Sequence, residues 1–556
     1  MNNIYNILLV SSLSLGSVSA FAQKDTTLQQ SMVVERDFSP IVRDANKIDQ
    51  QPKQEEIAIK KSATRYADWL APTATSSEVG VMPAGQVIAT DNPESGFIKF
   101  SAGNYINADL KAGVSYKDFF AELNGFATQG DLDLPYAIFS PASTGTEKGQ
   151  LSSGTWENRM MNGDVKLGID HIFLNSSRVR AYICASGRNY NMMNMKLFPA
   201  EIVSPDLNNG NDFLYDISSL NENDKQKAGR LGAGVIYDVN DLSLDIQYYR
   251  DAEDLFGTSE NSIRLGGKYG WYDNDEWNVV ASLNLGMQFG EENTFVFLPE
   301  IEYSRFGSTS LSRFYVNAKA GVSRFELYDM LSVMPMALNV WNYGKETNLF
   351  DVTLGYENND NGSFHYGAYI GAALTGDRLD AEMSATWSLE EMDSEFYDPP
   401  SKNYPATFAR LVQDDEFEFK AGAYMDYEYS KYFKTKAGVK FSSNPRFGGE
   451  KLNVGLHFLS NPSSKLSLDL GFDGGIDRKM AYCTNYVESA DDQLKRYETD
   501  VDLGNILDLN FRADYQLMDN LNIFINGKNL LNNEYQLWAG VPAQKINIHA
   551  GFMWRF

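Results

Sequence analysis

Cysteine and histidine are nearly missing from this chain. Of 556 residues, two are Cys (Cys184 and Cys483) and four are His (His171, His365, His457 and His549). There is no C-x-x-C pair, which excludes a disulfide framework and a thiolate zinc site. Cys184 sits in a predicted strand and Cys483 in a predicted external loop, and spacing alone does not establish a bridge between them. Proline numbers only 17 while apolar residues make up 43%, so the chain as a whole is not disordered. Beyond the N-terminus no apolar run approaches the ~18 residues that a spanning helix needs. Positive charge is also in deficit. With 48 Lys and Arg against 74 Asp and Glu, the formal charge is −26, and a phosphate backbone would be repelled. Nucleic acid is therefore excluded as a partner.

What the chain does have is aromatics: 33 Phe, 31 Tyr and 8 Trp, together with 44 Gly. They coexist with a mean hydropathy of −0.36. A single soluble core seldom grows to this length, so several domains or one large hollow architecture is expected.

The first 22 residues read as an export signal. An apolar stretch from about Ile7 leads to Ala20-Phe21-Ala22, an A-x-A cleavage site before Gln23. No Cys lies near that site, so a lipoprotein anchor is not indicated. Residues 23–95 carry little periodicity and many Gln, Lys, Ala, Thr and Ser, and they read as an extended segment.

From about Gly96 onward, alternation of period two recurs between turn residues. In the last segment Ile546, Ile548, Ala550, Phe552, Trp554 and Phe556 share one face, and Lys545, Asn547, His549, Gly551, Met553 and Arg555 share the other. Leu507, Leu509, Phe511, Ala513 and Tyr515 oppose Asp508, Asn510, Arg512 and Asp514 in the same way. Segments of ~9–13 residues suit a tilted strand crossing a bilayer. Tight turns at Asn175–Arg178, Val239–Asp241, Asn461–Lys465 and Met518–Asn520 alternate with long loops near 129–157, 190–225, 391–415 and 475–503. The expected fold is all-β: a large transmembrane antiparallel outer-membrane barrel over 96–556, with about 20–22 strands. About 21 segments are counted, one too many or too few for an even closure, and the error is placed between 327 and 415.

Two stretches resemble a known family. Asn526-Gly527-Lys528-Asn529-Leu530-Leu531-Asn532-Asn533-Glu534-Tyr535 is similar to the final hairpin of TonB-dependent receptors. Val34-Glu35-Arg36-Asp37-Phe38-Ser39-Pro40 with Arg43-Asp44-Ala45-Asn46-Lys47-Ile48, ahead of a barrel starting at Gly96, looks like a receptor-like subgroup lacking the N-terminal plug domain. Trp538-Ala539-Gly540-Val541-Pro542-Ala543-Gln544 resembles that subgroup's final external loop. The resemblance implies localisation in the outer membrane of a Gram-negative cell, a periplasmic segment at 23–95, and ligand passage across that membrane. Phe552, Trp554 and the terminal Phe556 look like the signal that outer-membrane assembly machinery reads.

Candidate site residues fall into two groups. On the polar phase of their strands, His457, Asp508, Arg512, Asn547 and His549 are expected to face the lumen. In the N-terminal segment, Val34, Phe38, Pro40 and Ile41 form short extended pieces suited to a partner's sheet edge, unless the segment is merely a leader. The histidines belong to no HxH or HExxH pattern, so no metal, cofactor or catalytic set is expected and the chain reads as a non-enzyme. Acidic runs such as Asp251-Ala252-Glu253-Asp254 and Asp414-Asp415-Glu416 read as solvated surface rather than calcium loops. Tyr397, Tyr404, Phe408 and Trp538 read as loop aromatics that either pack locally within their loops or meet a small-molecule, glycan, peptide or protein ligand. Outer-membrane lipids and an envelope protein, either a lipoprotein or another barrel, are the expected partners. A barrel this wide needs something in its lumen, supplied by the N-terminal segment, by loops or by a partner. Two readings remain open, a passage barrel and a non-conducting scaffold subunit of a larger complex.

Overall fold

The computed structural model describes residues 94–133, 155–173, 177–191, 225–254, 257–273, 276–290, 293–307, 312–337, 344–358, 363–386, 406–430, 432–488 and 493–556. The export signal, the body of the N-terminal segment and the candidates Val34, Phe38, Pro40 and Ile41 lie outside these residues.

The strands are β1 Glu94–Gly103, β2 Ala108–Tyr116, β3 Phe119–Asp133, β4 Thr155–Ile172, β5 Arg178–Asn191, β6 Lys225–Val239, β7 Leu242–Glu253 and β8 Ser259–Asp273. They continue as β9 Trp277–Phe289, β10 Thr294–Phe306, β11 Ser312–Ser323, β12 Glu346–Asn358, β13 Phe364–Thr386, β14 Ala406–Ser430, β15 Phe433–Ser442 and β16 Glu450–Ser463. The last are β17 Leu466–Glu488, β18 Gln493–Asp502, β19 Ile506–Met518, β20 Leu521–Lys528, β21 Gln536–Trp538, β22 Val541–Pro542 and β23 Asn547–Arg555. One α-helix is present among the described residues, α1 at Leu327–Val333.

Chain neighbours pair antiparallel from β1 to β17. β17 then pairs with β19, β19 with β20, β20 with β23, and β23 returns to β1. Twenty strands thus close into a barrel with no free edge. β18 stands outside the ring and pairs with the far end of β17 alone. In the stretch 475–503, expected as a loop, β17 runs on to Glu488 and β18 pairs back on it beyond the ring.

Side chains divide by the alternation of each strand. Leu244, Ile246 and Tyr248 of β7 are exposed while Tyr249, Asp251 and Glu253 are buried. Leu507, Ile523, Ile525, Ile548, Phe552 and Trp554 are exposed around the closure. Apolar residues turned outward and polar residues turned inward suit a wall whose solvent is hydrocarbon. No helix among the described residues is long and apolar enough to cross a membrane, and the crossing is made by strands.

The two ends of the barrel differ. Connections at one end are short, as at Lys117-Asp118, Asn240-Asp241, Ser464-Lys465 and Asp519-Asn520. Asn240 turns with φ +50°, a left-handed conformation that Asn tolerates. The other end carries the long connections. Strands are also longer than the ~9–13 residues expected from sequence. β13, β14 and β17 run 23, 25 and 23 residues, so ~75 Å of extended chain is available where a bilayer needs 9–11 residues. The surplus projects at the long-loop end. There β13 shifts register between Thr375 and Arg378, and Asp377 (φ +52°) and Asp477 (φ +54°) put left-handed bends into β13 and β17. Beyond the bends the two strands pair in parallel, Met383–Thr386 against Tyr482–Asn485.

Leu265, exposed near the middle of β8, provides a test of the outward face. Leu265→Arg should cost about 2–4 kcal/mol in denaturant unfolding from lipid vesicles, whereas Leu265→Phe should be close to neutral. Equal losses would place that face away from lipid.

Candidate functional site

The chain between β11 and β12 does not extend outward. It turns into the barrel at Arg324–Glu326, forms α1, and continues to Ala337, where it touches β14. Its anchor is an ionic cluster on the inner wall. Arg230 of β6 binds Asp251 of β7 at 2.7 Å, Glu326 at 2.7 Å and Asp329 at 2.9 Å. Arg264 of β8 reaches Glu326 at 2.7 Å, and Ser262 donates to the same carboxylate at 2.6 Å. Arg324 pairs with Glu260 at 3.1 Å. The first amides of α1 join the cluster: Leu327 N donates to Glu260 and Tyr328 N to Asp251. Arg230 lies between the rings of Tyr249 and Tyr328, 4.8 and 5.0 Å from their centroids.

Arg230, Asp251 and Glu326 are each 3% exposed or less. Burial pushes the Glu326 carboxyl upward, and the Arg264 and Arg230 guanidiniums hold it down against that shift. The Tyr328 hydroxyl is pushed up to about 12 by burial. Pairs this deeply buried are costly to assemble and far more costly to break from one side. The expectation that Asp251-Ala252-Glu253-Asp254 is solvated surface is overturned for Asp251 and Glu253, which face inward and are buried.

The far side of the loop is apolar. Met330, Leu331, Met334 and Met336 have essentially no exposed surface, and each such burial contributes about 1.5–3 kcal/mol. They belong to one cluster with Leu132, Tyr190 and Ala228 of β3, β5 and β6, with Leu379, Met383, Ala409 and Leu411 of β13 and β14, and with Met480 of β17. In a ring of twenty, β3–β6 and β13–β17 stand on opposite sides, so the cluster spans the mouth. Arg188 of β5 donates to the Leu331 carbonyl, and Ala409 N donates to Met336 O at 2.9 Å. Arg446 binds Glu346 while Phe325 meets Phe447 edge-on at 6.4 Å.

Trp538 is part of this cluster, 6% exposed on β21. Of the two readings of this loop aromatic, packing is the one that holds, because the β20–β23 connection folds inward. Phe408 lies in β14 rather than a loop, and Cys483 in β17. Tyr397 and Tyr404 lie outside the described residues. Cys184 is a free thiol on β5.

The five inner-wall candidates are dispersed. His457 stands between Asp469 (3.2 Å) and Asp473 (3.4 Å), and Asn510 donates to Asp473 at 2.5 Å. Asp508 accepts from Asn529 N. Arg512 makes a two-pronged pair with Asp514 at 2.6 and 2.7 Å. Asn547 donates to Gln544 at 2.7 Å, and His549 is 3% exposed beside Gly103. His457 is therefore apart from the closure group of Arg512, Asn547 and His549. Phe552, Trp554 and Phe556 are exposed on the outer face, and Phe556 exchanges two hydrogen bonds with Gly96 at 2.7 and 2.9 Å. Among the described residues no group of three or more His, Cys, Asp or Glu side chains could hold a metal ion. The inward loop was not legible as such in the sequence, although Leu327 to Met336 is a largely apolar run that contains Asp329 and follows Arg324 and Glu326.

Closure, outward apolar faces and strand-only crossing define an outer-membrane β-barrel. No family model matches the chain and no curated protein matches it. Solved structures similar to it include the copper transporter OprC, at 11% identity and TM-score 0.48, over 83% of this chain and 80% of that one. The siderophore receptor PirA from Acinetobacter baumannii is similar at 9% and 0.49, over 84% and 81%. A variant of the ferric enterobactin receptor PfeA from Pseudomonas aeruginosa is similar at 9% and 0.48, over 83% and 80%.

Replacing Arg230 by Ala would leave Asp251 and Glu326 buried, and Asp329 half-buried, without their shared cation, a loss of about 3–5 kcal/mol. Hydrogen exchange should show 324–337 losing protection while β19 and β20 keep theirs. Unchanged protection in the loop would mean that the ionic cluster is not its anchor.

Proposed function

We propose that this chain is a passage barrel of the outer membrane, admitting a ligand through a polar lumen whose mouth is held shut by the inward loop 324–337. The observation that carries the reading is the buried cluster spanning the mouth. A twenty-stranded ring would otherwise enclose an aqueous channel, and the loop is anchored by ion pairs on one side and apolar packing on the other. By the usual asymmetry of such barrels, the long-connection end faces the exterior and the short-turn end, with the N-terminal segment, faces the periplasm. Energy-coupled uptake of a small ligand, as in the receptors the sequence resembles, is the finer form of this reading. A scaffold role is favoured by a different observation, the hairpins β13–β14 and β17–β18, which project further than a membrane crossing requires.

Cys184 separates the two readings. It lies on the same strand and phase as Arg188, whose guanidinium holds the loop, and ~13 Å nearer the short-turn end. In a Cys483→Ser background, an impermeant maleimide added outside intact cells should label Cys184 slowly. Replacing 326–336 by a Gly/Ser linker should raise that rate at least tenfold and open ion conductance in planar bilayers. If neither changes, the passage reading fails and the scaffold reading stands.

A further inference from the structure

The outer wall carries a feature that is independent of whether the barrel conducts. Across β4–β8 lies an apolar groove of about 490 Å³. Ala233 stands between Ile183 and Tyr248 in one cross-strand row, and Ala181 between Ile169 and Val235 in the next. The two methyl groups are diagonal neighbours on β5 and β6, and longer exposed side chains rise on both sides of them. Two residues nearer the mouth, the next outward row is Leu231, Arg250 and Asn261. Arg250 is exposed on this face. Beyond it Gly229 and Ala252 add no bulk, and the row itself ends on the ring of Phe289 in β9.

Arg250 has no counter-ion among the described residues. The carboxylates of its own strand, Asp245, Asp251 and Glu253, stand on the opposite, inward phase, and Asp254 is held by Lys227 at 3.0 Å. Its height on the wall explains why a charge is tolerated there. From Leu242 at the short-turn end to Arg250 is ~27 Å along the strand, or ~21 Å of height at the usual tilt, close to the far boundary of a ~25 Å apolar band. Tyr248 marks the same boundary, and its hydroxyl donates to Asn261 Oδ1 at 2.9 Å. That bond leaves the Asn261 amide hydrogens for another acceptor beside Arg250.

We infer that this face binds a phosphate-bearing lipid, with the phosphate on Arg250 and Asn261 and an acyl chain along the groove floored by Ala233 and Ala181. A guanidinium suits phosphate because two parallel N–H bonds can meet two of its oxygens. An uncharged lipid would leave Arg250 unmatched. Free phosphate would leave the groove unused, and an apolar segment of a partner protein would bring no anion to the row.

The test uses the full-length barrel purified from native membranes in mild detergent. Native mass spectrometry follows its titration with phosphatidic acid and with diacylglycerol of the same chains. Phosphatidic acid should bind at least tenfold more tightly, and excess inorganic phosphate should not displace it. Arg250→Ala should erase that preference, whereas Arg250→Lys should keep most of it. Ala233→Phe, which fills the groove, should weaken both lipids alike. Leu283→Phe, on the exposed face of β9, should change nothing, and heat-modifiable migration should show each variant folded. A preference unmoved by Arg250→Ala would overturn the inference, as would displacement by inorganic phosphate. So would a polypeptide, rather than a lipid, that copurifies with the barrel and is lost in Ala233→Phe.

Discussion

The hydrogen bonds between β1 and β23 are the constraint on which the rest of this structure depends. Hydrocarbon offers no partner to a backbone N–H or C=O, so a sheet can cross a bilayer only by closing on itself. Seven residue pairs from Phe97–Arg555 to Gly103–His549 make that closure, and Gly96 with Phe556 completes it at the short-turn end. Once the ring is closed, each strand's alternation is forced to mean lipid on one side and lumen on the other. The apolar face of β23 and the buried His549 and Asn547 behind it are two consequences of one geometric fact.

Closure at twenty strands creates the opposite difficulty, an interior too wide for wall side chains to fill. The chain meets it by folding elements inward from the long-loop end. The loop 324–337 is the most consequential because it joins opposite walls. Its charged flank meets Arg230 and Arg264, and its methionines and leucines meet the bent ends of β13, β14 and β17. The bends at Asp377 and Asp477 let strands far longer than a membrane crossing lean over the mouth rather than stand away from it. Ion pairs at the loop's base and apolar packing at its tip make it a single bridging unit.

Legibility in the sequence followed from how local each feature is. The all-β barrel was legible because period-two alternation is a property of neighbouring residues, as in Leu242 to Tyr248 or Leu507 to Tyr515. Tight turns such as Val239–Asp241 were legible for the same reason. The projecting hairpin β17–β18 was not. Its charged stretch Gln493–Asp502 resembles a loop in composition and becomes a strand only through pairing with β17. Asp251 was misjudged as solvated because its burial depends on Arg230, 21 residues away, and on Tyr328, 77 residues away. Trp538 reads either way, packed or free, until the folding of its loop into the mouth is known.

The sequence by itself determined which side chains share a face of each strand, that the chain crosses a membrane with strands, and that both faces could be satisfied only in a closed sheet. These follow from short-range spacing and from solvation. Tertiary structure alone decided the count of twenty in the ring, the seating of α1 across the lumen, and the joining of β1 to β23 at the closure. Each of those depends on residues from about sixty to more than four hundred positions apart being brought within hydrogen-bonding or packing distance, and no local pattern encodes such a meeting.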